Sequence, residues 1–282
     1  MNWFEKILAA LDGRMEVPTW FGWYHLICLG IVIGLVVLVS FTCRKLTEKQ
    51  FRIICLVVSL VLILLEVYKQ LNFSYDVASD TWSYHWYAFP FQFCSSPMYV
   101  LLLIACLKEC KFREYLCSFL ATFGLLAGVL VMCYPVSCYI DVIGINIQTM
   151  VHHGAMVVMG GVLLASGKAK IEHKTILKAM SVFAVLVGTA FLMNIIFHST
   201  GNTQTFNMFY IGPYFDCELP ILYDIGVAMN IAGPSITFMN ILFLLIYIVS
   251  FSVCAYIVLL IFIFAKWVKN KHNQKHPQPQ QV

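Results

Sequence analysis

Composition, the spacing of apolar runs and the placement of basic residues together predict an all-α polytopic membrane protein with seven transmembrane helices, N-terminus outside and C-terminus cytosolic. Of 282 residues, 61% are hydrophobic and only 11% charged, and the mean hydropathy of +0.82 excludes a soluble globular domain. A bilayer core roughly 30 Å thick takes about 20 apolar residues per helical crossing. Seven runs serve: Trp20–Cys43, Ile53–Phe73, Phe91–Leu107, Cys117–Tyr134, Ile147–Gly167, Ile176–Phe197 and Ile236–Ala265. Strand-like alternation is absent and lipid tolerates no unpaired backbone, so these runs are helices. The last is too long for one straight crossing and has to tilt or project.

Orientation follows from the basic residues. Arg44, Lys45, Lys49 and Arg52 fill the first connection; Lys108, Lys111 and Arg113 the third; Lys168, Lys170, Lys174 and Lys178 the fifth; Lys266, Lys269, Lys271 and Lys275 the tail. These are fifteen of the 18 Lys and Arg, all on one side for seven crossings. The alternate connections carry Asp76, Asp80, Asp141, Asp216, Glu218 and Asp224 instead, which places the basic side in the cytosol. The net charge of +4 reflects this topology and contact with anionic lipid, and calls for no nucleic acid.

In chain order, residues 1–19 begin with Trp3, Phe4, Ile7, Leu8 and Leu11 on one helical face, an amphipathic helix expected to lie in the outer interface rather than a cleavable signal peptide. Residues 20–265 form the seven-helix domain. His25, early in crossing one, reads as a snorkelling structural residue. Crossing two carries Glu66, Lys69 and Gln70 near its end; Glu66 either pairs with Lys69 three residues on or lines a polar cavity, as intramembrane carboxylates do. Crossing three begins HWYAFPFQFCSSPM, with Pro90 at a helix start and Cys94 about one turn inside. Crossing four offers Gly124 and Gly128 for close packing. Crossing five holds His152 and His153, about 100° apart around a helix, so that only one faces a given partner. Crossing six ends with Asn194 and His198 on one face. The following loop is too long to be structureless; a short helix around Leu219–Ile231 and a lid over the site are expected. Residues 266–282 read as a disordered cytosolic tail. Of the eleven cysteines, Cys138 and Cys217 fall in outward loops and can pair, although spacing cannot place their Cα atoms.

Glu66, Gln92, Cys94, His152, His153, Asn194 and His198 all lie in the outer half of their helices, which points to one outward-facing polar cavity. A thiol and an imidazole at one depth support acyl transfer: histidine takes the thiol proton, the thiolate attacks an ester carbonyl, and Gln92 or Asn207 donates to the oxyanion. No cofactor or metal is needed. Acyl-CoA is cytosolic, so an outward thiol uses phospholipid as donor and lysophospholipid as acceptor.

The runs FPFQFCS, FGLLAGVLVMCYP, VHHG and FNMFYIGP, in that order over about residues 50–240, resemble the YwaF-type integral membrane family, related to the eukaryotic transmembrane protein 164 acyltransferases. In the eukaryotic relatives a membrane cysteine and histidine are taken to move an acyl chain between phospholipids. The resemblance implies those roles for Cys94 and for His152 or His153, with His153, which precedes the glycine, preferred. It implies a bacterial plasma membrane or a eukaryotic endomembrane as host. Two other readings stand beside it. One is a zinc-dependent lipid hydrolase using His85, His153, His198 and Glu66 or an aspartate. The other is a transporter or ligand-binding membrane protein in which the cavity performs no chemistry. Oligomeric state is not legible in the chain.

Overall fold

Apolar surface and backbone hydrogen bonding leave this chain one solution, a bundle of helices. The computed structural model describes residues 1–275, and ten α-helices account for most of them. These are α1 (Trp3–Leu11), α2 (Trp23–Thr42), α3 (Glu48–Ser74), α4 (Ser96–Cys106), α5 (Lys111–Phe119), α6 (Leu125–Cys133), α7 (Ile143–Ala165), α8 (Lys174–Ser199), α9 (Leu222–Ala228) and α10 (Phe238–Lys275). The only sheet among the described residues is a two-residue hairpin, β1 (Tyr75–Asp76) with β2 (Thr81–Trp82). α5 and α6 form one rod, joined through a π-helical turn at Leu120–Gly124 that is wholly buried.

Six helices are long and apolar enough to cross a membrane, and a seventh apolar segment, Phe93–Cys106, is shorter. The third crossing therefore differs from the expected helix. Eleven α-helical residues rise about 16 Å, well short of a bilayer core of roughly 30 Å. The rest of the passage is non-helical: Phe89–Gln92 run irregularly into a single 3₁₀ turn, Phe93–Ser95. Irregular backbone at membrane depth is tolerated only where protein buries it, and here aromatic rings do so. Phe93 packs on Phe183 at 5.2 Å, Phe251 at 5.4 Å and Phe209 at 5.7 Å between ring centroids. The helix starts at Ser96 with Pro97 in its first turn, where a missing N–H leaves nothing unpaired; Pro90 lies outside the helix and accepts from the Tyr99 hydroxyl at 2.8 Å. Cys94 consequently sits in the 3₁₀ turn ahead of the helix, not one turn inside it. Its depth is also greater than expected: Ser59, in the middle of α3, donates to the Met98 carbonyl at 2.8 Å, only four residues further along.

α3 packs against α4 and α7, α7 against α2 and α6, α5 against α8, and α8 against α10. Glycines set the closest of these approaches. A Cβ on Gly128 would meet the His153 carbonyl at 2.8 Å and Met156 Cβ at 2.9 Å, which locks α6 against the histidine turn of α7. At the basic end Arg52 donates to the last carbonyls of α4, Ala105 at 2.7 Å and Cys106 at 3.2 Å, matching the negative end of the helix dipole. Glu48 there joins Arg113 and Lys168, and Lys168 reaches Glu109 at 2.7 Å.

The opposite end is closed by α1, capped by Asn2 with Glu5 returning to the cap N–H. Leu8 is buried while Trp3, Ile7 and Leu11 are exposed. Arg14 ties this segment to Asp141 at 2.8 Å, and Tyr68 donates to the Leu11 carbonyl at 3.1 Å. Within the long loop the expected short helix is α9. The last helix runs on to Lys275, past the boundary placed at residue 265, because Ala265, Trp267 and Val268 continue a helix-compatible sequence without a Gly or Pro. The remainder of the expected disordered tail lies outside the described residues. The pairing considered for Cys138 and Cys217 is not made: all eleven cysteines are free thiols, Cys217 being packed in the core while Cys138 stays half-buried.

Candidate functional site

Three helices that are distant in sequence meet at Cys94. α4 presents the 3₁₀ turn carrying the half-buried thiol; α7 presents His152 and His153, both buried; α3 presents Glu66 and Lys69. His152 donates through Nε2 to the backbone carbonyl of Cys94 at 2.8 Å. Because a carbonyl can only accept, Nε2 carries the proton, and in the neutral ring Nδ1 bears a lone pair. That Nδ1 is buried without a hydrogen-bond partner. His153 is arranged differently. Its Nδ1 donates to the Thr149 carbonyl one turn back in the same helix, at 2.8 Å. Of the adjacent pair it is therefore His152 that bonds the Cys94 backbone, where the resemblance prefers His153 as the partner of the thiol. Among the described residues no imidazole hydrogen bonds to the thiol itself.

Glu66 is buried and splits its carboxylate. Oε1 accepts from Lys69 Nζ at 2.7 Å and from Gln70 Nε2 at 2.8 Å, while Oε2 has no partner. The pairing of Glu66 with Lys69, three residues on in the same helix, is therefore made. Gln70 is held by the Tyr84 hydroxyl at 2.7 Å and donates to the Ala88 carbonyl at 2.6 Å, fixing the chain just before the irregular passage.

The expected oxyanion donors have other employment. Gln92 Nε2 donates to the Asn207 carbonyl at 3.1 Å and its Oε1 accepts from the Phe209 N–H at 2.8 Å. Asn194 grips the same segment, Nδ2 on the Met208 carbonyl at 3.0 Å and Oδ1 on the Met208 N–H at 2.7 Å. Asn207 closes its own loop through the Gly212 N–H at 2.7 Å and the Asp216 carbonyl at 3.1 Å. These amides clamp a turn in which Phe209 and Tyr210 take left-handed φ values of 60° and 56°, a conformation bulky residues adopt only when the surroundings impose it. Polar composition pointed to these residues; nothing in the sequence distinguishes a side chain that awaits a ligand from one that holds its own backbone. Phe209 and Tyr210 themselves carried no signal, as aromatic residues are ordinary in this chain.

His198 lies against Tyr214 at 4.4 Å and Phe215 at 5.1 Å between centroids, with its Nε2 buried and unpartnered. His85 packs edge-on against Tyr87. Among the described residues no group of three or more His, Cys, Asp or Glu side chains converges as metal ligands do, so the ligand set of the zinc reading is not assembled. His25 does not snorkel: it is buried, donates from Nε2 to the Met132 carbonyl at 2.9 Å and accepts from the Phe21 N–H at 3.1 Å.

Two cavities involve neighbouring segments, and neither is lined by Cys94 or His152. One, of about 190 Å³, is lined by Tyr87, Gln92, Thr205, Asn207, Tyr210 and Glu218 beside the clamp. The other, of about 300 Å³, is almost wholly apolar; it lies between α2, α3 and α7, with Val32, Val58, Val151, Gly154 and Val158 on its walls. Compared with known proteins, the chain matches no curated protein and no solved structure. A family model, described as the TMEM164 family, matches residues 20–264.

Proposed function

The chain belongs to the TMEM164 family, and from that premise and the geometry around Cys94 we propose that it is a phospholipid acyltransferase or transacylase working through a cysteine thioester. The observation that carries this reading is the hydrogen bond from His152 to the Cys94 carbonyl, which brings that ring to the cysteine's own backbone and leaves its other nitrogen buried and unpartnered. His152 Nδ1 takes the thiol proton. The thiolate attacks the ester carbonyl of a phospholipid, and the tetrahedral intermediate collapses with return of the proton to the departing lysophospholipid oxygen. The acyl group is then a thioester on Cys94, and the hydroxyl of a second lysophospholipid, deprotonated by the same nitrogen, attacks it and releases the thiol. With Gln92, Asn194 and Asn207 engaged in the clamp, Lys69 is the group that supplies positive charge to the thiolate and the oxyanion, and Glu66 holds it in place. The apolar cavity between α2, α3 and α7 has the character needed for an acyl chain. His153, turned onto Thr149, supports the helix rather than the chemistry.

Intact-mass spectrometry of purified protein incubated with phospholipid tests this directly. Wild type is expected to gain the mass of one acyl group, sensitive to hydroxylamine, and Cys94→Ala to gain none. His152→Ala is expected to lose adduct formation by a hundredfold or more, on the order of general-base contributions, and His153→Ala to lose much less. An adduct that survives in Cys94→Ala, or none in folded wild type, defeats the reading in favour of ligand binding without chemistry.

A further inference from the structure

The basic end holds two cavities of opposite electrostatic character. One, of about 470 Å³, contains Arg113, Lys168 and Lys170 but also Glu109 and Glu114, and its cations are paired: Arg113 and Lys168 with Glu48, Lys168 with Glu109, Lys170 with Glu114 at 3.9 Å. The other, of about 500 Å³, lies between α2, α7 and α10, and no acidic residue lines it. Its floor is apolar, with Leu125 and Leu164 buried and Val157 and Phe262 beside them. Arg44 and Lys269 complete it, and neither has a carboxylate partner among the described residues.

The arrangement is ordered along the membrane normal. Val36, Ser40 and Arg44 recur every four residues, so they form one stripe on the α2 side, apolar at depth and cationic at the end. Phe262 and Lys269, seven apart on α10, repeat the pattern. Arg44 is oriented by its own backbone: Nε donates to the Ser40 carbonyl at 2.8 Å and the guanidinium lies over Phe41, 5.3 Å from the ring centroid, which leaves its terminal nitrogens for another acceptor. α2 packs on α7 and α10 on α8, and the cavity lies between α2 and α10.

We propose that this cavity seats one anionic phospholipid, its phosphate between Arg44 and Lys269 and an acyl chain along Val157, Leu164 and Phe262. The site is separate from Cys94 and does not depend on the acyltransfer reading. Two cations without counter-charge above an apolar trough complement an acidic headgroup on a hydrocarbon chain, whereas a protein segment would need donors and acceptors that the trough lacks.

Native mass spectrometry of the full chain, titrated with phosphatidylserine or phosphatidylcholine, tests the proposal. Wild type is expected to bind one phosphatidylserine at least tenfold more tightly than phosphatidylcholine. Arg44→Gln/Lys269→Gln, at exposed positions without partners that folding requires, is expected to lose that preference, and Lys45→Gln/Lys271→Gln, which removes equal charge from the same end, to keep it. Gly161→Leu, which fills the trough and leaves both cations, is expected to weaken binding as much. Unchanged preference in the first double variant, equal loss in the second, or displacement by inorganic phosphate as effective as by lipid would each overturn it.

Discussion

Truncating Gln92 to alanine removes a donor and an acceptor from a buried turn and leaves the Phe209 N–H without a partner. Such a loss costs about 1–3 kcal/mol for the orphaned group, and the turn it restrains already holds two non-glycine residues at positive φ. The expected result is a lower midpoint of thermal unfolding in detergent for Gln92→Ala, with an effect at least as large for Asn194→Ala, whose amide is fully buried. Midpoints equal to wild type would remove the clamp role and return both amides to the list of substrate ligands. At this scale the sequence was half legible. A polar side chain inside a membrane helix announces a partner, and Glu66, His152 and Asn194 each have one; whether such a partner is substrate or backbone depends on what lies opposite.

Glycines and the hairpin decide how the elements sit. An added methyl at Gly128 runs into the backbone of α7 at His153, whereas nothing lies within 4 Å of a Cβ on Gly188. Gly128→Ala is therefore expected to cost about 1–3 kcal/mol through overpacking and to perturb the histidine turn, while Gly188→Ala leaves the unfolding midpoint near wild type; comparing the two by thermal unfolding checks it. On the hairpin, hydrogen bonds from the Ser79 hydroxyl and the Ala78 N–H hold the Asp76 carboxyl below its ordinary 3.8, and the Tyr75 phenol does the same for Asp80. Both groups have lowered pKa values in the fold, so the stability they contribute is present above pH 3.8 and is lost as pH falls through the folded values. Trp82, stacked on Phe4 with centroids 6.2 Å apart, is the optical probe: its acid fluorescence transition is expected to vanish in Asp76→Asn/Asp80→Asn. Helix existence was readable from apolar runs, but the start of α4 was not. FPFQFCSSPM reads as continuous apolar helix by composition, and only the aromatic shell around Phe93 makes a non-helical entry affordable in lipid.

For the whole molecule the charge distribution predicts that the two ends lie on opposite sides of the membrane. In single-cysteine variants a membrane-impermeant maleimide added from outside is expected to label Cys133, exposed at the end of α6, and to spare Cys110, exposed beside α5 at the basic end; the reverse pattern would invert the topology. The number of apolar segments and the all-α class were determined by the sequence alone, because hydropathy acts on each stretch of about 20 residues independently of the rest. Tertiary structure alone decided that His152 bonds the Cys94 carbonyl, that the Gln92 and Asn207 side chains bond backbone groups of the turn after α8, and that Arg44 and Lys269 line one trough. Each of those facts is a lateral contact between helices far apart in the chain, and it is set by packing and by which backbone groups remain to be satisfied.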